Sequence, residues 1–285
     1  MTEPAVAAAP LPGSAADDGN GAAVAILGAL EVRPARSDGA AARDWLPVVG
    51  ARPRSLLARL AAASGRVVLT ERLLAEVWPE APPAGRGKAV AQVVHRLRRL
   101  LGDRDGEFIA TRPQGYELRV PDVEIDAAVA RLLIERGRAR LACGDADTAT
   151  VLLGRALDLW RGEPYAGIEC GGPSGVVARH GAHLSRLRVT ALESRIDADL
   201  ALRRYGEVID ELAYLIAGDP LYEPWWPRLM LSLDGAGRRA DALYTYQRLR
   251  TLLVDGLGVE PGPEARRVHQ RILAGDPPRR GCNCA

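Results

Sequence analysis

The feature that most constrains this chain is a helix-length amphipathic string followed at once by a hairpin-like string. Ala89-Val90-Ala91-Gln92-Val93-Val94-His95-Arg96-Leu97-Arg98-Arg99-Leu100-Leu101 repeats apolar residues at helical spacing. At about 100° per residue, Val90, Val94, Leu97 and Leu101 share one face. Lys88, Gln92, His95 and Arg99 fall opposite, with Arg96 at the edge of that second face. Phe108 to Val120 then reads as a β-hairpin, in which Arg112-Pro113-Gln114-Gly115 suits a type I turn, with Pro at its second position and Gly at its fourth. An apolar floor, a basic roof carrying an amide, and a basic hairpin have the layout of a winged helix on DNA. A major groove admits one α-helix, and Arg, Lys and Gln read base edges there. Periodicity alone also fits an ordinary amphipathic helix with a solvated charged face.

Charge separates these readings further. Of 285 residues, 38 are basic and 36 acidic, a net of +2. The excess is local: residues 24–120 hold 16 basic and 10 acidic side chains, whereas residues 121–275 hold 20 and 22. The basic surplus therefore lies in the segment with the helix and hairpin, as an anionic polymer partner requires. No apolar run approaches the roughly 20 residues of a membrane span. The start, Met1-Thr2-Glu3-Pro4, lacks the positive charge of a signal peptide, so a cytoplasmic location is expected. Four cysteines in a chain this long do not make a disulfide framework.

The chain's organisation follows from its breakers. Residues 1–22 are Ala-, Pro-, Gly- and Asp-rich and are expected to be a disordered tail. Ala23 to Val32 is a strand-like start, and Trp45 to Val49 a second short strand. Arg54 to Ser64 is predicted helical, with Gly65 as its stop. Val67 to Leu69 is extended, Thr70 is predicted as an N-cap, and Glu71 to Val77 is a second helix ended by Trp78-Pro79. A domain of sheet, three helices and a two-stranded wing is expected over 23–121.

Residues 122–275 are expected to be wholly helical. Gly144-Asp-Ala-Asp-Thr-Ala149 and Gly237-Arg-Arg-Ala-Asp-Ala242 share a Gly and an Ala five apart, and Arg204 to Ile209 holds the equivalent place in a third unit. Helix pairs of this kind resemble degenerate tetratricopeptide repeats, interrupted here by a looser stretch from Gly162 to Gly175. Residues 276–285 form a short tail ending Gly281-Cys282-Asn283-Cys284-Ala285. The expected fold class is mainly α: a small α+β winged helix-turn-helix domain followed by an all-α tetratricopeptide-like domain.

Taken in order, these strings resemble the Streptomyces antibiotic regulatory protein family of transcriptional activators, over about Val24 to Pro277. The landmarks are Leu27-Gly28-Ala29-Leu30-Glu31-Val32, Gly65-Arg66-Val67-Val68, Leu74-Ala75-Glu76-Val77-Trp78 and the helix Val90 to Gly102. Thr111 to Tyr116, Leu157 to Gly162, Leu192 to Leu200 and Gly256 to Pro263 complete them. The resemblance implies an OmpR-type winged helix joined to a bacterial transcriptional activation domain. It also implies protomers bound head to tail on promoter direct repeats, and recruitment of RNA polymerase. Two features depart from the family: the Arg33–Arg54 connection is longer than usual, and the Cys-Asn-Cys-Ala end lies outside the pattern.

The candidate DNA-binding residues are Lys88, Gln92, His95, Arg96 and Arg99 on the helix and Arg112 in the wing. Arg98 lies nearer the core and is expected to pair with an acidic neighbour. Tyr116, Trp160, Trp225 and Trp226 are expected to pack, and Cys143 and Cys170 to behave as small apolar residues. His180 and His183 lack acidic companions in ligand register. Cys282 and Cys284 are weak metal candidates, since two thiolates do not close a zinc site. No cofactor is expected, and no nucleotide-binding glycine loop, HExxH, GxSxG or acid/base pair marks an enzyme. The partners expected are double-stranded promoter DNA, RNA polymerase and a second copy of the chain, with no membrane. The competing reading makes the folded body a platform that presents Cys-Asn-Cys-Ala for peptide modification.

Overall fold

The computed structural model describes residues 23–35, 44–79, 86–119 and 124–275. The two tails, with Cys282 and Cys284, and residues 36–43 of the long Arg33–Arg54 connection lie outside the described residues. The described residues form two compact units. One runs up to Leu132 and adds Ala156–Val189; the other holds Leu133–Arg155 and the residues from Thr190 onward.

The first unit opens with an antiparallel sheet. β1 (Ala23–Ala25) pairs with β2 (Glu31–Arg33), which pairs with β3 (Leu46–Pro47). The apolar run from Ala23 to Val32 is therefore two strands and a turn at Gly28, not one strand. Ile26 and Leu27 are buried between the strands, and their main-chain N–H groups bond to Asp126 rather than to a neighbouring strand.

Three helices follow. α1 (Ala51–Ala62) begins three residues before the predicted Arg54, because Pro53 sits in the first turn, where no intrahelical N–H is needed. α2 (Thr70–Val77) begins at Thr70 itself, and the Thr70 side chain caps nothing. The expected N-cap is corrected: the Thr70 N–H is satisfied by the carbonyl of Gln114 at 3.0 Å, so the hairpin turn does the capping. α3 (Arg86–Leu101) carries the amphipathic string.

β5 (Ile109–Arg112) and β6 (Gly115–Leu118) pair in register Arg112↔Gly115, leaving Pro113 and Gln114 as the turn. Neither turn residue has positive φ, which suits type I and excludes the mirror-image turns. β4 (Val68–Leu69) pairs with the other side of β6, so the wing has three strands rather than two. This closeness explains Gly115: a Cβ there would stand 2.0 Å from the Val68 carbonyl oxygen.

The same unit takes in the looser stretch after the first helix pair. Arg161 and Tyr165 donate main-chain bonds to the carbonyls of Leu27 and Ile26, and Ala166 donates to Gly28, at 2.8, 3.0 and 3.1 Å. Asp126 accepts from the N–H groups of Ile26 and Leu27 at 2.9 Å and meets the Arg161 guanidinium at 3.2 Å. Arg161 also pairs with Glu31 and lies over the Trp45 ring. Burial raises the Asp126 pKa, against the lowering pull of those N–H groups and of Arg161. Residues 161–166 thus form a strap that completes the hydrogen bonding of the β1–β2 turn. Trp160 and Cys170 are buried as expected, and burial pushes the Cys170 thiol up to about 11.

The second unit is all helix. It holds most of α4 (Asp126–Ala142) and α5 (Ala146–Leu157), the end of α6 (Val176–Ala201), and all of α7 (Tyr205–Gly218), α8 (Trp225–Gly235), α9 (Arg239–Leu257) and α10 (Pro263–Ala274). The sequence repeat corresponds to a conformational one. Gly144, Arg203 and Gly237 each take a left-handed φ (80°, 59° and 78°) two residues before the second helix of a pair. The third unit looks degenerate because an arginine occupies the position that glycine holds in the other two. Ala149 and Ala242, five residues after the two glycines, are fully buried at the helix contact.

Polar groups along these helices are paired laterally. Arg228 forks onto Asp197 at 2.8 Å, Arg195 pairs with Glu211, and the Thr150 hydroxyl donates to Asp199 at 3.2 Å. Trp225 and Trp226 are core residues, as expected, and the Trp226 indole donates to Pro220 O at 3.0 Å. Cys143 is a correction: it is exposed, at the turn before α5, and packs in no core.

Candidate nucleic-acid interface

α3 is held by its apolar stripe. Val90, Val94, Leu97 and Leu101 are each at most 1% exposed, packed by α1 and α2. Burying four such side chains is worth up to about 6–12 kcal/mol. Turning the helix over would forfeit that term and bury Lys88 and Arg99 instead, so the rotation of α3 is decided. Lys88, Gln92, His95, Arg96 and Arg99 consequently all lie exposed on the opposite face. The structure brings together the five residues that periodicity singled out. Ala91 joins them and was missed; its exposure in the middle of the face was legible from the same helical spacing.

The two edges of this face are different. On one edge Arg98 reaches the wing: its guanidinium donates to the Ile109 carbonyl (3.1 and 2.5 Å) and to the Thr111 hydroxyl (2.9 Å). Its acidic neighbour is Asp103, at 3.8 Å. Asp103 is almost wholly buried and accepts from the N–H groups of Glu107 (2.7 Å) and Ile109 (3.0 Å). One carboxylate therefore joins the end of α3, the loop and the first wing strand. Asp103 was also missed in the sequence, where Gly102-Asp103 reads only as a helix stop. On the other edge, Arg96 and Leu100 border the residues that follow β3.

The wing residue Arg112 is exposed but not free. Its Nε and one terminal nitrogen both meet Glu117 Oε2 at 2.7 Å across the hairpin. The two lie diagonally on the outer face of the wing sheet, because Arg112 faces Gly115 and Ala110 faces Glu117. A phosphate must compete with Glu117 for this guanidinium. Tyr116 is half-buried in the wing, as expected of a packing residue.

Among the described residues no cluster of three or more His, Cys, Asp or Glu is placed to hold a metal ion. His180 is engaged structurally: its Nδ1 and the Tyr165 hydroxyl share a hydrogen bond of 2.7 Å, and burial, aided by His183, lowers the imidazole pKa. Among the described residues no helix is long and apolar enough to cross a membrane.

Comparison with known proteins agrees with this geometry. Residues 125–273 match the bacterial transcriptional activator domain, and residues 49–118 match the C-terminal domain of transcriptional regulatory proteins. Regulatory protein DnrI of Streptomyces peucetius is 31% identical over 237 residues, which are 80% of this chain and 86% of DnrI. Regulatory protein AfsR of Streptomyces coelicolor is 38% identical over 225 residues, or 79% of this chain, but the match spans only 22% of AfsR. The structure of Mycobacterium tuberculosis EmbR in complex with a low-affinity phosphopeptide superimposes with a TM-score of 0.80 at 29% identity, covering 91% of this chain and 67% of that one. Two domain matches in this order, with relatives alike over most of the chain, show that it belongs to the bacterial transcriptional activator domain family and is a transcriptional regulator of the Streptomyces antibiotic regulatory protein type.

Proposed function

We propose that this regulator activates a biosynthetic gene cluster by binding direct repeats in promoter DNA, head to tail with a second copy, and recruiting RNA polymerase. The observation that carries the DNA-binding part is the exposed stripe Lys88, Gln92, His95, Arg96 and Arg99, set opposite a buried apolar stripe on α3 and flanked by a wing. Arg and Lys suit guanine edges or phosphates and Gln suits adenine, so the stripe has the chemistry of a major-groove reader. Arg112 would add a phosphate or minor-groove contact once drawn from Glu117. The matches to residues 49–118 and 125–273 support a division into a DNA-binding domain over 23–121 and an activation domain over 122–275. The mechanism is recruitment in the cytoplasm, with no cofactor and no chemical step.

Footprinting of the full chain on DNA flanking its own gene, at several ionic strengths, tests this reading. Protected direct repeats are expected, with affinity falling steeply as salt rises, because each neutralised phosphate releases a counterion. A folded chain inert towards that DNA at low salt would defeat it.

A further inference from the structure

Beside the reading face, at the Arg96 edge, lies a groove that major-groove recognition does not by itself require. Val48, Pro53 and Leu97 line it on the apolar side, and His95, Arg96 and Arg99 on the polar side, around about 570 Å³. That volume is in the range of small-molecule sites, roughly 300–1,000 Å³. Its lining holds three basic residues and no acidic one. Among the described residues these three have no acidic partner, whereas Arg98 and Arg112 each have one and Arg161 has two. The apolar character continues onto the rim, where Val49 is 66% exposed.

An apolar wall facing two uncompensated guanidinium groups and an imidazole selects one chemistry: a small molecule with a flat or bulky apolar body and a carboxylate or sulfonate. A bare phosphate would leave the apolar side unused. We propose that this groove binds a small apolar anion, and that ligand and DNA exclude one another because both need Arg96, Arg99 and His95. The groove stands on the cavity and its lining. The exclusion rests on the DNA-binding reading of α3.

The test uses the full chain and the fluorescent apolar anion anilinonaphthalene sulfonate. One saturable site is expected, displaced by a random-sequence duplex at low salt. Arg96→Gln and Val49→Glu should each weaken the probe roughly fivefold, the effect of one partly screened charge contact. Val49 is a rim residue, so its replacement leaves the core intact, and circular dichroism verifies the fold of each variant. Arg248→Gln, which alters a separate groove beside Trp226 in the second unit, should change nothing. Probe binding insensitive to both groove substitutions, or lost with Arg248→Gln, would overturn the site. A duplex that binds without displacing the probe would overturn the exclusion. A duplex that fails to bind at all would instead count against the DNA reading, and the two groove variants would still judge the site.

Discussion

Asp126→Ala should destabilise the first unit by about 2–6 kcal/mol. The Asp126 carboxylate accepts from the main-chain N–H groups of Ile26 and Leu27, both in buried residues, across about a hundred positions of sequence. Each donor left without an acceptor costs ~1–3 kcal/mol, and two of them set the range. The lost pairing with Arg161 adds about 1 kcal/mol or less, because that side chain is more than a third exposed and the 3.2 Å contact is screened by solvent. Asp126→Asn retains one acceptor oxygen and should cost about half as much. Hydrogen exchange by mass spectrometry on peptides containing Ile26 and Leu27 reads the effect locally, avoiding a two-state assumption for a chain with two units. A loss of ~2 kcal/mol corresponds to exchange about 30-fold faster. The same reasoning covers a truncated chain: residues 23–121 lack both Asp126 and the 161–166 strap, so they should be less stable than a chain continued to 189. Unchanged exchange in Asp126→Ala, or a fragment 23–121 as stable as the longer one, would refute the strap as a structural part of the winged-helix unit.

Arg96→Ala and Arg99→Ala should each weaken specific binding by ~1–3 kcal/mol, whereas Arg104→Ala, beyond the helix end, should matter little; equal effects of all three on specific and random duplexes would remove the proposed face. His180 has a lowered pKa in the folded chain, so its contribution to stability is full above its ordinary value of 6.5 and is lost as pH falls through the folded value. Urea midpoints of the first unit should therefore fall between neutral and mildly acidic pH, and a His180→Phe variant retaining the full pH dependence would count against this assignment. Arg203→Gly should stabilise the second unit by up to about 1 kcal/mol by relieving a left-handed backbone, while Gly144→Ala and Gly237→Ala should cost a similar amount. Thermal melts of the three variants decide it, and a lower midpoint for Arg203→Gly, or unchanged midpoints for Gly144→Ala and Gly237→Ala, would show that the shared turn is not the cause.

Much of this architecture was legible in the chain because it is local. Helical spacing put Val90, Val94, Leu97 and Leu101 inside and Lys88, Gln92, His95 and Arg99 outside. Pro113 and Gly115 framed the hairpin turn, and the Gly144 and Gly237 motifs located the second helices of two pairs. Each of these inferences rests on residues within a few positions of one another, where backbone sterics and side-chain periodicity act directly.

What only the tertiary structure decided involves partners distant in sequence. Thr70 is capped by Gln114, not by its own side chain, and the apolar run after Ala23 divides into two strands around a turn that the 161–166 strap and Asp126 satisfy. Arg112, chosen for its charge, is held by Glu117, while Arg96 and Arg99 keep theirs uncompensated beside an apolar groove. Composition and spacing specify which side chains can be paired or buried. Which of them are is decided by chain closure over tens to a hundred residues, and no local pattern encodes that.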